Sequence, residues 1–303
     1  MTDAYPIRRL GHSRFVTLRQ MPYHLVQWGQ PLPRQPLLLM LHGYMDVGAS
    51  YQFVVDAMSD GPLGQRCVVA PDWRGFGRTV GPATDSYWFP DYLGDLDALI
   101  DSLSPDAPVD LVGHSMGGNI VMTYAGVRPH RVRRLVNLEG FGLPDLPPEQ
   151  AAGRMATWLD SLRQPATLKP YPSLDAVAAR LRQNNPRLAA DKAQWLAGHW
   201  SAPGDDGQFH LLADAAHKRI NPVPYRAAEA VAVWSAITAP TLWVQGQGSR
   251  LDAHWQGRYT HAEFQARLAH VADVRQVHLA DAGHMLHHDQ PEALARALEA
   301  HLG

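Results

Sequence analysis

Gly113-His114-Ser115-Met116-Gly117 places a serine midway between two glycines. A serine hydroxyl is a poor nucleophile until a neighbouring base takes its proton. G-x-S-x-G carries catalytic meaning where a strand turns sharply into a helix. Such a turn forces its central residue into a strained backbone conformation, and the flanking positions must be small because neighbouring chain passes close by. Val109-Asp110-Leu111-Val112 before the motif reads as a strand, and Asn119 to Ala125 after it as a helix. Ser115 is therefore expected to project its hydroxyl at the carboxyl end of a strand, where the N–H groups of the following helix favour developing negative charge. The plainer alternative, a helix N-cap serine with glycines for packing, does not call for the preceding strand. A candidate base, His284, stands in the Gly-containing loop Ala282-Gly283-His284, just past the run Val274–Leu279. As neutral imidazole it can accept the serine proton and return it to a leaving group.

The elements around these residues set the expected architecture. Phe15–Leu18 and His24–Trp28 read as two opening strands joined by a turn at Met21-Pro22. Leu37–Leu41 is a continuous apolar run, as expected of a strand covered on both faces. Ser50–Met58 reads as a helix and Cys67–Ala70 as a strand. Leu93, Leu96, Leu99, Ile100 and Leu103 recur at helical spacing within Tyr92–Leu103, and Val132–Leu138 is a further strand. This β/α alternation predicts a doubly wound, mostly parallel α/β sheet with helices on both faces. The alternation stops after Gly142. Gln150–Leu162, Leu174–Gln183 and Asp191–His199 read as helices separated by Pro- and Gly-rich turns, and strands resume at Thr241–Val244 and Val274–Leu279. The expected organisation is a core of residues 1–142 and 236–303 with a helical cap subdomain, 143–235, inserted into it.

Four motifs in this order resemble the α/β-hydrolase superfamily nearly end to end. His42-Gly43-Tyr44 is similar to its oxyanion loop, and Asp72-Trp73-Arg74-Gly75-Phe76-Gly77 to its D-x-R-G-x-G turn. Gly113–Gly118 is similar to its nucleophile elbow, and Ala282-Gly283-His284 followed by Gln290-Pro291-Glu292 to its terminal histidine loop and last helix. The resemblance implies backbone oxyanion donors at Tyr44 and Met116, since fixed amides suit that task. His42 is read as a packed loop residue bonded to nearby backbone, and Arg74 as a structural tie between loops.

The acid departs from the pattern. Many members place an aspartate three residues after a glycine that ends the seventh strand; here Gly246-Gln247-Gly248-Ser249 puts Ser249 there. Two carboxylates could serve instead. Glu139 directly follows Val136-Asn137-Leu138, and Asp252 lies three residues beyond Ser249. Catalysis requires only a carboxylate that accepts a bond from His284 and holds its tautomer, and both positions keep the order serine, acid, histidine. Glu139 is favoured because a strand end is rigid and the Gln-Gly-Ser-Arg loop is not. The plain readings are a loop or capping acid for Glu139 and an N-cap near Trp255 for Asp252.

The insertion carries Trp158, Trp195 and Trp200, which could line an apolar pocket or simply pack its own helices. A serine nucleophile points to an acyl-enzyme route on small or medium carboxylic esters. Thioester, lactone or carbon–carbon bond hydrolysis by the same triad, perhydrolysis, and a non-catalytic ligand-binding role remain alternatives. A net charge of −2 gives no reason to expect nucleic acid, and no stretch approaches a membrane span. The single Cys67 excludes an internal disulfide framework. The opening residues lack a signal-peptide core, so a cytoplasmic protein is expected. No cofactor is implied. His287 and His288 are expected to be ordinary loop or helix-start residues, without metal, and most of the sixteen histidines to be solvated. Oligomeric state does not follow from the sequence.

Overall fold

The computed structural model describes residues 4–303; Met1–Asp3, the start of the segment read for a signal peptide, lie outside it. The chain opens with an antiparallel hairpin, β1 (His12–Leu18) and β2 (Met21–Trp28). Its turn falls earlier than the Met21-Pro22 expected from sequence. Arg19 and Gln20 form it with φ of 46° and 66°, and Leu18 pairs with Met21. A two-residue hairpin loop that matches strand twist needs positive φ at both central positions. Pro22 then faces Thr17 in the pair that exchanges no ladder bonds, outside the stretch of β2 paired with its other neighbour.

The alternation continues through β3 (Leu38–Leu41), α1 (Gln52–Ala57), β4 (Val68–Pro71), α2 (Phe89–Leu103), β5 (Val109–His114), α3 (Met116–Val127) and β6 (Val132–Leu138). The chain then leaves the sheet for α4 (Ala151–Leu162), α5 (Leu174–Asn184), α6 (Ala190–Trp200), the short pair β7 (Ser201–Pro203) and β8 (Phe209–Leu211), and α7 (Ala227–Trp234). It returns through β9 (Thr241–Gly246), α8 (Leu251–His254), α9 (His261–Leu268), β10 (Val274–Leu279), α10 (Leu286–Asp289) and α11 (Pro291–Leu302). The eight-stranded sheet has the order β1-β2-β4-β3-β5-β6-β9-β10 and is parallel from β4 to β10.

The continuous apolar run of β3 has a direct explanation. Leu39 and Leu41 enter the core on one face of the sheet, Leu38 and Met40 that on the other. A third cluster joins Phe53 of α1 to Val177, Ala178, Leu181 and Leu196 of the inserted segment. The insertion is also tied to the loop after β4. Gly77 N–H donates to Leu212 O (2.7 Å), Asp214 N–H to Gly75 O (2.8 Å), and the His217 ring is stacked between Phe76 and Tyr87. The limit at residue 235 read from sequence puts α7 with the inserted helices, whereas α7 packs against α3 and buries Trp234 in the main core. Among the described residues no helix is long and apolar enough to cross a membrane.

Candidate active site

Parallel strands deliver Ser115 and Glu139 to one edge of the sheet. Neighbouring positions Leu41 and Gly113, His114 and Leu138, and Leu138 and Val244 put the ends of β3, β5, β6 and β9 side by side. Ser115 follows β5 with φ 52° and ψ −113°, and Glu139 follows β6 with φ 58°. Ser115 N–H donates to Leu138 O (2.8 Å), and Glu139 N–H to Val244 O (3.2 Å). These bonds pin two strained residues where β-strands end. The glycines around Ser115 are obligatory by contact. A side chain on Gly117 would strike the carbonyl oxygens of Leu41 and His42, and one on Gly113 would strike Gly117.

Ser115 Oγ lies 3.0 Å from His284 Nε2, and His284 Nδ1 lies 2.9 Å from Glu139 Oε2. A carboxylate can only accept, so Nδ1 carries the proton and Nε2 is free to receive that of the serine. Glu139, 1% exposed, has two further donors: Gly246 N–H to Oε1 and the Ser249 hydroxyl to Oε2, each at 2.7 Å. A buried carboxylate needs such partners. Asn137 fixes the turn that presents it, accepting from Gly140 N–H (2.8 Å) and donating to Gly140 O (3.1 Å). Asp252 is elsewhere. Its Oδ1 accepts from His261 N–H (2.6 Å) and bridges α8 to α9, with no bond to His284.

Gly43 crosses directly over the serine: a Cβ there would lie 2.9 Å from His114 Nδ1 and 3.1 Å from Ser115 Cβ. Tyr44 follows Gly43 in the chain, and Met116 opens α3 directly after Ser115. The half-exposed Tyr44 side chain reaches the insertion, its hydroxyl donating to His217 O (3.2 Å). His42 donates from Nδ1 to Gly43 O (2.7 Å) and accepts Trp73 N–H at Nε2 (2.8 Å). Arg74 bonds the buried Asp95 through Nε and Nη2, at 2.5 and 2.6 Å.

The three tryptophans each contact a residue of the core. Trp195 packs edge-on against Phe53 (5.6 Å between centroids) and Tyr5. Trp200 Nε1 donates to Ser50 Oγ (3.4 Å), and Trp158 Nε1 to Ser86 Oγ (3.1 Å). They join the insertion to the core. A surface groove of about 720 Å³ beside Ser249 and Asp252 contains neither Ser115 nor His284.

Most histidines were expected to be solvated, yet His24, His114, His287 and His288 are buried. His114 Nε2 donates to the carbonyl of His284 (2.8 Å) and so anchors that loop; burial, with His287 and His284 nearby, holds His114 neutral, well below the usual histidine range. His287 and His288 occupy α10 and face inward. His287 Nε2 lies 3.5 Å from Asp46 Oδ2. Burial acting alone would raise the Asp46 carboxyl, but His287, His288 and His42 around it outweigh burial and hold it below the carboxylate range. Asp46, His114 and His287 offer ligand atoms within 4.8 Å of one another, a grouping that Asp46, distant in sequence, hides from motif reading. Ser249 was likewise missed as part of the acid's shell. Its only signal was its place three residues after the glycine that ends β9, where the family resemblance led an acid to be expected.

Comparison with known proteins follows the same lines. The family described as the alpha/beta hydrolase fold matches residues 36–291. The 3-hydroxybutyrate-oligomer hydrolase of Cupriavidus necator is 32% identical over 291 residues, covering 91% of this chain and 92% of its own. The 2-(acetamidomethylene)succinate hydrolase of Mesorhizobium japonicum is 29% identical over 218 residues, 71% and 72% of the two chains. Among solved structures, a thioesterase domain from the curacin biosynthetic pathway superposes with a TM-score of 0.82 at 28% identity, over 96% of this chain and 99% of that one.

Proposed function

Because the chain belongs to the alpha/beta hydrolase family, we propose that it is a serine hydrolase that cleaves small to medium carboxylic esters through an acyl-enzyme. One observation carries the proposal: the unbroken run of bonds from Ser115 Oγ through both ring nitrogens of His284 to Glu139. In this reading His284 takes the Ser115 proton as Oγ attacks the ester carbonyl. The backbone amides of Tyr44 and Met116 receive the oxyanion. The imidazolium, held by Glu139, protonates the departing alcohol; the neutral ring then activates water to release the acid. The His284 side chain is about half exposed (48%), which leaves room for that water.

The inserted segment acts in this reading as a cap over the serine, joined to the core by Tyr44, Phe76 and His217. Catalysis needs no cofactor, and the partner is the ester itself. The relative from Cupriavidus necator is named for hydrolysis of 3-hydroxybutyrate oligomers, so such an oligomer belongs beside p-nitrophenyl esters of graded acyl length in the test panel. Turnover of at least one ester, lost in Ser115→Ala, supports the proposal. A panel with no turnover and no fluorophosphonate adduct on Ser115 would overturn it.

A further inference from the structure

A second serine of this chain stands in the same kind of bonded run, remote in sequence from the first. Ser13 Oγ lies 2.7 Å from His24 Nε2, and His24 Nδ1 lies 2.7 Å from Asp72 Oδ2. We propose that Ser13 is a second activated nucleophile, a surface acylation site for small activated acyl donors such as aryl esters and acyl phosphates. The inference does not depend on the function proposed for Ser115.

The chemistry of the partners fixes every proton in this run. Asp72 also accepts Gly48 N–H at Oδ1 and Arg78 N–H at Oδ2, both at 2.8 Å, and as a carboxylate it can only accept. His24 must then carry its proton on Nδ1, which leaves Nε2 as an acceptor for the Ser13 hydroxyl. The Arg78 guanidinium, which can only donate, bonds the same Oγ at 3.0 Å. Ser13 thus gives its proton towards a base and receives a cation's N–H, the two interactions that favour an alkoxide. His24 and Asp72 are buried, at 4% and 3% exposure, whereas Ser13 and Arg78 are exposed. Base and acid are held in the core while the hydroxyl faces solvent.

The loop after β4 builds the arrangement. Gly77, at φ 56°, lets the chain close over the Asp72 carboxylate where a side chain would collide with it, and this brings Arg78 beside β1. Arg78 forms no ion pair among the described residues. It lies over the half-exposed Phe15 ring (5.6 Å), which in turn packs on His24 (5.2 Å). Phe15 offers an apolar rest for an acyl group, and Arg78 a charge for the carbonyl oxygen or an anionic leaving group. In the step proposed, Ser13 Oγ bonds to the carbonyl carbon as its proton passes to His24 Nε2. The bond from that carbon to the leaving oxygen breaks, and the leaving group takes the proton from His24. The product is O-acyl Ser13, and no other reactant enters.

The test uses Ser115→Ala protein treated with p-nitrophenyl acetate or acetyl phosphate and read by intact mass and peptide mapping. Substitutions are confined to the exposed members, Ser13 and Arg78, with thermal melting to verify folding. The expected result is one acetyl group on Ser13, formed at least about tenfold faster than on any other serine, lost in S115A/S13A and slowed several-fold in S115A/R78Q. Acetylation that is absent, spread evenly over surface serines, or unchanged by S13A would overturn the inference.

Discussion

The Ser249 hydroxyl and the His284 ring share one oxygen: both donate to Glu139 Oε2, at 2.7 and 2.9 Å. Ser249, three residues after the glycine that ends β9, thus donates to a carboxylate carried by the neighbouring strand β6.

Removing that charge while keeping its shape is the direct probe. Glu139→Gln is expected to lower kcat by about 10³- to 10⁴-fold with little change in KM, the scale set by an uncharged triad acid. Asp252→Asn, altering a carboxylate that only bridges α8 to α9, is expected to stay within about twofold of the parent. Ester kinetics on both variants decide it, and the reverse ranking would move the acid to Asp252.

Ser249 gives a second, graded prediction. Ser249→Ala removes one donor from a buried carboxylate, expected to cost about 1–3 kcal/mol of stability and to reduce kcat less than Glu139→Gln does. In the double variant Glu139→Gln/Ser249→Asp a carboxylate returns from the β9 side. It is expected to recover at least about tenfold in kcat over Glu139→Gln alone. No recovery, with the fold intact by circular dichroism, would show that the two positions are not interchangeable.

Much of this was legible because it depended on local rules. The G-x-S-x-G spacing and its strand–turn–helix context marked Ser115, and a rigid strand end favoured Glu139 over Asp252. The apolar run at Leu37–Leu41 marked a strand buried on both faces, and the sheet bears that out. What escaped depended on partners distant in sequence. The inward turn of His287 depends on Asp46, that of Trp195 on Phe53, and the role of Ser249 on a carboxylate 110 residues away. The hairpin turn was misplaced because Pro22 is a strong turn signal, while the two positive φ values sit on Arg19 and Gln20, residues with no such preference.

The turn around Ser115 makes a prediction about stability alone. Gly117→Ala drives a methyl group into the Leu41 carbonyl and is expected to cost more than about 3 kcal/mol or to abolish soluble expression. Gly153→Ala, in α4 with open space around it, should be neutral or stabilising by up to about 1 kcal/mol. Denaturant melts of the two variants give the contrast, and equal effects would contradict the packing described.

Acid should loosen the fold in a defined window. Burial between Phe76 and Tyr87 pushes His217 down to about 4, and burial also lowers His42, His114 and His288. The unfolded chain, with histidine near 6.5, binds more protons than the native state between these values. The stability from keeping His217 neutral is therefore complete above about pH 6.5 and drains away as pH falls towards about 4. Tm is expected to fall steadily over that interval, with a shallower slope in His217→Gln. A flat or rising Tm from pH 6.5 to 4 would contradict this.

The most direct measurement is the location of the acyl group during turnover. Protein mixed with a slowly deacylating p-nitrophenyl ester, quenched in acid within a few turnovers and digested for mass spectrometry, should carry its acyl adduct on Ser115. No adduct on Ser115, or undiminished turnover by Ser115→Ala, would contradict the mechanism, whereas a further adduct on Ser13 belongs to the separate reaction proposed above.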